Sequence, residues 1–168
     1  MLESHNIFNN KKILIYGLGK SGLSASKFLK RNNKVIEYDD KKNKNYGKIR
    51  KIEFDYIILS PGIDINKCKL SNFLKKNYNK IHTDLDIFYS NYKNNYKITI
   101  TGTNGKSTTA KILYEVIKAQ KIDVRLVGNI GNPILLEKNI TNKTIFIIEA
   151  SSYQLAYSKL FKSNISII

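Results

Sequence analysis

Short apolar runs rich in β-branched residues alternate along this chain with longer amphipathic stretches. Residues 12–16 (KILIY), 35–38, 56–60 (YIILS), 81–83, 97–101 (KITIT), 124–127, 144–149 (TIFIIE) and 163–168 (SNISII) have the length and composition of strands buried on both faces. Between them, residues 21–31, 71–78, 106–118 and 153–161 read as helices. Leu23, Phe28 and Leu29 are the apolar positions of the first helix, and Ile112, Leu113, Val116 and Ile117 form the apolar side of the third. The alternation predicts the α/β class with parallel sheets. Two polar stretches interrupt it, 40–47 (DKKNKNYG) and 90–95 (SNYKNN), and the second is read as a domain boundary near residue 93. The first unit is expected to fold without the second. In the second, the run ISII is expected to form an open apolar sheet edge.

Two of the strand-to-helix junctions are glycine turns. The first is Gly17-Leu18-Gly19-Lys20-Ser21-Gly22, a G-x-G-x-x-G sequence. Glycines there allow a tight turn and close approach of a phosphate, and the following helix N-terminus presents free N–H groups. Asp39 ends the next strand about 20 residues on, where a ribose-binding acid would stand. On these residues alone a nicotinamide or flavin dinucleotide, another nucleotide and a purely structural turn all remain open. The second turn is Thr101-Gly102-Thr103-Asn104-Gly105-Lys106-Ser107-Thr108. Its backbone N–H groups can wrap phosphates, Lys106 can neutralise the β/γ oxygens, and a hydroxyl from Ser107 or Thr108 can ligate Mg²⁺. A turn that merely joined a strand to a helix would not need a lysine followed by two hydroxyls. Glu149 ends the strand TIFIIE and Asn129 follows another strand. Taken singly they are a polar strand terminus and a turn asparagine. In a nucleotide-binding fold, where strand ends converge on the ligand, Glu149 becomes a candidate Mg²⁺ ligand and Asn129 a candidate contact.

Charge changes this picture less than its size suggests. Lys plus Arg number 29 against 13 Asp plus Glu, a net +16 that would suit nucleic acid. Yet only Arg31, Arg50 and Arg125 are arginines, the residue favoured for bidentate phosphate recognition. Abundant Lys, Asn, Ile and Tyr are the products of A+T-rich codons, and the basic residues are dispersed. No nucleic-acid partner is expected. No apolar run approaches the ~20 residues of a membrane span, and the N-terminus lacks the apolar segment of a secretory signal. Cys68 is the single cysteine, which excludes a disulfide framework and a cysteine-rich zinc site, and His5 and His82 lie far apart in sequence. A cytoplasmic protein without membrane insertion is expected.

The loop ITGTNGKST (100–108), together with GLGKSGLS (17–24), LSPG (59–62), TDLDIF (83–88), GNIG (128–131) and EASSYQL (149–155), resembles the Mur ligase family from about residue 11 to the last residue. The resemblance implies a Rossmann-like N-terminal domain with a parallel sheet (1–92) that binds a UDP-sugar, followed by an incomplete P-loop-type α/β central domain (93–168) that binds ATP. It turns the first glycine turn from a dinucleotide site into a uridine diphosphate site. Lys20, Ser21, Asp39, Asp40, Lys41, Gly62 and Asn129 match its substrate positions. Gly102, Thr103, Asn104, Gly105, Lys106, Ser107 and Thr108 match the ATP positions, with Lys106 catalytic and Ser107 and Glu149 at the metal. The implied reaction is ATP-dependent amide formation between UDP-N-acetylmuramoyl-L-alanine and D-glutamate through an acyl phosphate, with ATP and Mg²⁺ as cofactors and a monomeric full-length enzyme. Asp86 stands where Glu is usual and Tyr153 where Phe is common. The family's later histidine, its carbamylated lysine and its D-glutamate-binding domain have no counterpart among these 168 residues, so the chain by itself is expected to be inactive. The competing expectations are a non-catalytic nucleotide-binding module and an NAD-dependent enzyme using Asp39.

Overall fold

The computed structural model describes residues 6–42 and 46–168. His5 and positions 43–45 of the first polar stretch lie outside the described residues. The first sheet contains β1 (Lys12–Tyr16), β2 (Lys34–Tyr38), β3 (Tyr56–Leu59) and β4 (Ile81–His82), all parallel, in the order β2-β1-β3-β4. The second contains β5 (Tyr96–Ile100), β6 (Val124–Gly128), β7 (Ile145–Glu149) and β8 (Ile165–Ile167), also parallel, in the order β6-β7-β5-β8. The helices are α1 (Lys20–Leu29), α2 (Tyr46–Ile49), α3 (Ser71–Lys76), α4 (Asp84–Asn91), α5 (Lys106–Ala119) and α6 (Ser152–Tyr157). Residues 92–95 carry the chain from one sheet to the other, and we propose residue 93 as the division. No described helix is long and apolar enough to cross a membrane.

Strand alternation sorts the core into layers. On β1, Leu14 and Tyr16 face one side with Tyr38, Ile57, Leu59, Leu70 and Leu74. Ile13 and Ile15 face the other side, where they join Ala25 and Leu29 of α1, Leu85 and Phe88 of α4, and Val127, Phe146 and Ile148 of the second sheet. The far face of the second sheet, with Ile100 and Ile147, packs on Ala110 of α5. One buried cluster is therefore common to both sheets. Removing residues beyond 93 would uncover Ile13, Ile15, Leu85 and Phe88, so this packing does not support the expectation that the first unit folds unaided.

Three local expectations are corrected. In α1, Leu23 points to solvent, while Gly22, Ser24, Ala25, Ser26 and Leu29 are buried. The helix sits so close to the glycine turn that a Cβ at Gly22 would lie 1.9 Å from the Gly17 carbonyl oxygen. In α5, Ile112 and Val116 are 60% and 57% exposed. The face toward the sheet is Ala110 with the partly buried Leu113, Tyr114 and Ile117. The third correction concerns residues 153–161, where the helix stops at Tyr157. The N–H groups that would continue it, those of Lys159, Leu160 and Phe161, donate instead to the carboxylate of Asp86 at 2.8–3.1 Å. The expected ISII edge is present in outline. Among the described residues β8 pairs with β5 alone, and Ile165 is exposed.

Asp86 is completely buried and does several jobs at once. Its helix α4, which extends into the stretch read as a polar linker, opens with a capping box between Thr83 and Asp86. Oδ2 also bonds His82 Nδ1 at 2.8 Å, with the ring of His82 packed edge-on against Phe8 and Tyr56. Burial pushes the Asp86 pKa up, but the hydrogen bonds from His82 and from the Leu160, Lys159 and Phe161 N–H groups outweigh it and leave the group below its usual range. Another buried charge, Lys97 of β5, donates to the carbonyls of Lys93 and Asn95 at 2.9 and 2.5 Å, and burial pushes its pKa down to about 8.

Asp86→Ala leaves buried N–H groups without a partner and is expected to cost about 3–5 kcal/mol in a urea titration. Asp86→Asn tests the charge. A carboxyl whose folded pKa is depressed stabilises the fold above its unfolded value of about 4 and loses that contribution as pH falls through the folded value. The stability gap between wild type and Asp86→Asn should therefore be constant from pH 7 to about 5 and should close below about 4. A gap that does not change with pH would show that Asp86 is not held as a carboxylate.

Candidate functional site

In both sheets the candidate site is built where parallel strands end, because backbone groups there have no further ladder partner. β1 ends in the first glycine turn, where Gly17 takes φ +92° and a Cβ would meet Ser60 Cβ at 2.8 Å. Ser60, just past β3, donates its hydroxyl to the Gly17 carbonyl at 2.6 Å and so braces the turn. Asp39, just past β2, accepts from the Leu18 N–H at 2.8 Å and from the Lys41 N–H at 2.9 Å. The Leu18 N–H above all, with that of Lys41, holds its carboxyl below the usual range against the opposing effect of burial. Asp39 thus ties the end of β2 to the glycine turn. Asp40 accepts from Tyr16 Oη at 2.8 Å and from the Lys69 N–H at 3.0 Å. Burial, with the neighbouring Cys68 and Asp40, pushes the Tyr16 hydroxyl pKa up.

These strand ends enclose a cleft of about 610 Å³. Lys20, Ser21, Asp39, Asp40, Lys41 and Gly62 line it from the first sheet, and Asn129 lines it from the second. All seven substrate positions expected from the sequence therefore meet in one place. A Cβ at Gly19 or Gly62 would meet no protein atom within 4 Å, unlike one at Gly17 or Gly22. Ser60, Asp64, Lys67 and Cys68 also line the cleft. Ser60 was within reach of sequence reasoning through LSPG. Asp64, Lys67 and Cys68 carried no local signal, since the fold of the 60–68 segment brings them there.

The second glycine turn follows β5 and opens α5. Gly102 and Gly105 adopt φ +127° and +77°, which L side chains rarely do. Lys106 Nζ donates to the loop carbonyls of Gly102 and Thr103 at 2.8 and 3.2 Å, so the lysine rests over the loop it would share with a phosphate. Ser107 Oγ donates to Glu149 Oε2 at 2.7 Å, while Thr108 is exposed. The Ser107–Glu149 pair offers oxygens to a hard cation at the head of the loop. Among the described residues no group of three His, Cys, Asp or Glu could form a protein cage. This donor set fits Mg²⁺, which keeps waters and phosphate oxygens and takes few protein ligands.

Glu149 also joins the two regions. It pairs with Ile100 on one side and Gly128 on the other. Its carbonyl accepts from the Asn129 N–H at 2.9 Å. Gly128, at φ +107°, comes so close that a Cβ would lie 2.2 Å from the Glu149 carbonyl oxygen. The carboxylate beside the glycine loop and the asparagine in the cleft are thus one backbone hydrogen bond apart.

Residues 100–168 match the Mur ligase middle domain. The chain is 35% identical over 178 residues to UDP-N-acetylmuramoylalanine--D-glutamate ligase of Rickettsia felis, covering 97% of this chain and 39% of that protein. The enzyme of the same name from Aquifex aeolicus is 37% identical over 158 residues, covering 92% of this chain and 37% of its own length. The chain thus spans about two fifths of the curated relatives it matches. Its fold is similar to the crystal structure of UDP-N-acetylmuramate:L-alanyl-gamma-D-glutamyl-meso-diaminopimelate ligase from Neisseria meningitides, with TM-score 0.50 and 16% identity over 84% of this chain and 52% of that one. Two parallel sheets, a glycine loop whose serine meets a strand-end glutamate, and sequence similarity along nearly the whole chain agree: residues 100–168 match the Mur ligase middle domain, and the chain is similar to the Mur ligases along nearly all of its length.

Proposed function

We propose that this chain provides the nucleotide-handling part of an ATP-dependent ligase that adds D-glutamate to UDP-N-acetylmuramoyl-L-alanine in cytoplasmic peptidoglycan precursor synthesis. The observation that carries the reading is the contact between the two regions. Glu149 holds Ser107 of the glycine loop through its side chain and Asn129 of the cleft through its backbone. A carboxylate at the end of a substrate lying in the cleft would then face a γ-phosphate lying on the loop.

In this reading Lys20, Ser21, Asp39, Asp40, Lys41, Gly62 and Asn129 hold the UDP-sugar, and Gly102 to Thr108 hold ATP. The substrate carboxylate attacks the γ-phosphorus and ADP leaves. The D-glutamate amine attacks the resulting acyl phosphate carbonyl, a proton is lost from nitrogen and phosphate leaves. Lys106 and the loop N–H groups offset charge on the transferred phosphoryl group. Ser107 and Glu149 would hold Mg²⁺, whose chemistry is charge neutralisation between phosphate oxygens. The full-length ligase is proposed to act as a monomer.

The reading is tested by titrating the chain with UDP and, separately, with NAD. UDP is expected to bind and NAD is not. Asp39→Ala should weaken UDP about ten- to hundredfold, the value of a charge-assisted hydrogen bond together with the turn it braces. Binding of NAD without UDP would transfer the cleft to a dinucleotide enzyme.

Lys106→Ala is expected to abolish the rise in thermal midpoint that Mg-ATP produces in the wild-type chain. Its midpoint without ligand should stay within about 2 °C of wild type, because the side chain bonds only its own loop. An undiminished Mg-ATP shift would remove Lys106 from the phosphate site, and so would a variant that fails to fold.

A further inference from the structure

The turn that follows β6 forms a partition. Gly128, Asn129, Gly131 and Pro133 line the cleft on one side of it. Gly131 and Asn132, together with Arg125 and Glu137, line a smaller hollow of about 290 Å³ on the other. The turn doubles back on its own strand. The Gly128 N–H donates to the Asn132 carbonyl at 3.1 Å, and the Asn132 N–H to the Leu126 carbonyl at 3.4 Å. A side chain holds it from the hollow as well, because Asn132 Nδ2 donates to Glu137 Oε1 at 2.8 Å. Glu137 Oε2 faces Arg125 Nε at 3.9 Å, and Arg125 Nη2 bonds Asp123 Oδ1 at 3.1 Å. Asp123 Oδ2 in turn accepts from Oγ1 of the completely buried Thr144 at 2.5 Å. A line of polar contacts thus runs from the residue before β7 to the back of the turn. Exposed ion pairs contribute little, but the Glu137 side chain is only 8% exposed. Arg125 Nε is buried without a hydrogen-bond partner among the described residues, which is costly unless a carboxylate is held toward it. One of the three arginines of the chain is therefore turned to carboxylates behind the turn. Asn129, on the same turn, lines the cleft and is tied through its backbone N–H to the Glu149 carbonyl.

We propose that Glu137, itself held by Arg125, is a positioning residue for the cleft: by accepting from the Asn132 side chain it fixes the turn behind Asn129 and so sets Asn129 against the sugar–alanine end of the substrate. The proposal rests on the sugar-nucleotide reading of the cleft, in which the carboxylate end of the substrate points toward the glycine loop of the second sheet. The uridine end then lies against Lys20, Ser21 and Asp39 on the first-sheet wall and takes no support from Glu137. The turn needs such a brace, since Gly128 and Gly131 adopt φ +107° and +71° and glycines keep more backbone freedom than other residues unless their neighbours are fixed. A turn already held in its bound shape lowers the ordering cost of binding. A carboxylate can meet both Arg125 and Asn132, one with each oxygen, whereas a carboxamide has a single acceptor oxygen for the two.

The test measures the affinities of UDP-N-acetylmuramoyl-L-alanine and of UDP on the same samples of the 168-residue chain. Glu137→Gln and Asn132→Ala should each weaken UDP-N-acetylmuramoyl-L-alanine by about five- to tenfold, and the double variant should be no worse than the poorer single one. UDP affinity should stay within about twofold in all three, which a general loosening of the fold would not allow. In an Asn129→Ala background the loss from Glu137→Gln should vanish, because the side chain it positions is gone. Asn132 is exposed, so Asn132→Ala decides the matter if Glu137→Gln does not fold. Unchanged affinity for UDP-N-acetylmuramoyl-L-alanine in either single variant would overturn the proposal. So would additive losses, equal losses for the two ligands, or a loss that persists without the Asn129 side chain. Those results leave the sugar-nucleotide reading standing. A wild-type chain that does not bind UDP-N-acetylmuramoyl-L-alanine at all would remove that reading, and this proposal with it.

Discussion

The carboxylate of Asp86 is the constraint on which the arrangement of the two sheets depends. It takes the N–H groups of three consecutive residues, Lys159, Leu160 and Phe161, and so ends α6 and turns the chain toward β8. The same carboxylate caps its own helix and bonds His82 at the end of β4. One buried charge thus pins the last strand of the first sheet, the helix between the sheets and the approach to the last strand of the second. Desolvating it is costly, and the donors gathered around it offset that cost.

With the sheets held this way, the shared core and the ligand regions follow. Ile13, Ile15 and Ala25 from one side meet Phe146, Ile148 and Val127 from the other. Interiors pack at crystal-like density, so this contact leaves little freedom for the sheets to slide. The C-terminal ends of β1, β2 and β3 then lie beside the turn after β6, and the cleft has one wall from each sheet. Glycines mark the places where no side chain fits. At Gly22 the obstacle is the Gly17 carbonyl, and at Gly128 it is the Glu149 carbonyl. The second approach brings the strand carrying Glu149 against the turn carrying Asn129.

Much of this was legible in the sequence. The parallel α/β class, the strands and the two glycine turns could be read from apolar runs and from Gly, Lys and Ser at particular spacings, because strand burial and phosphate chemistry leave local marks. The seven cleft positions were reached through resemblance to a family, and the structure brings them together. Less legible were the helix faces. Leu23, Ile112 and Val116 satisfy a helical period yet are exposed. Which arc of a helix is buried depends on how closely it approaches its sheet, and small residues such as Gly22 and Ala110 set that distance.

What the sequence by itself determined, then, is the run of strands, the two glycine turns and the candidate chemistry of their loops. The turns at Gly17 and Gly102 need positive φ, and a lysine followed by two hydroxyls marks 106–108 as a candidate phosphate loop. Only the tertiary structure decided where α6 stops, why Asp84, Asp86 and Lys97 can be buried, and how Glu149 stands between the loop and the cleft. Apart from Lys97, whose ammonium bonds the nearby Lys93 and Asn95 carbonyls, each of those depends on a hydrogen bond between residues far apart in the chain, such as Asp86 to Leu160 or Asp84 to Gln154. A polar residue carries no sign of its distant partner in its own neighbourhood, and its burial is tolerable only once the folded chain has supplied one.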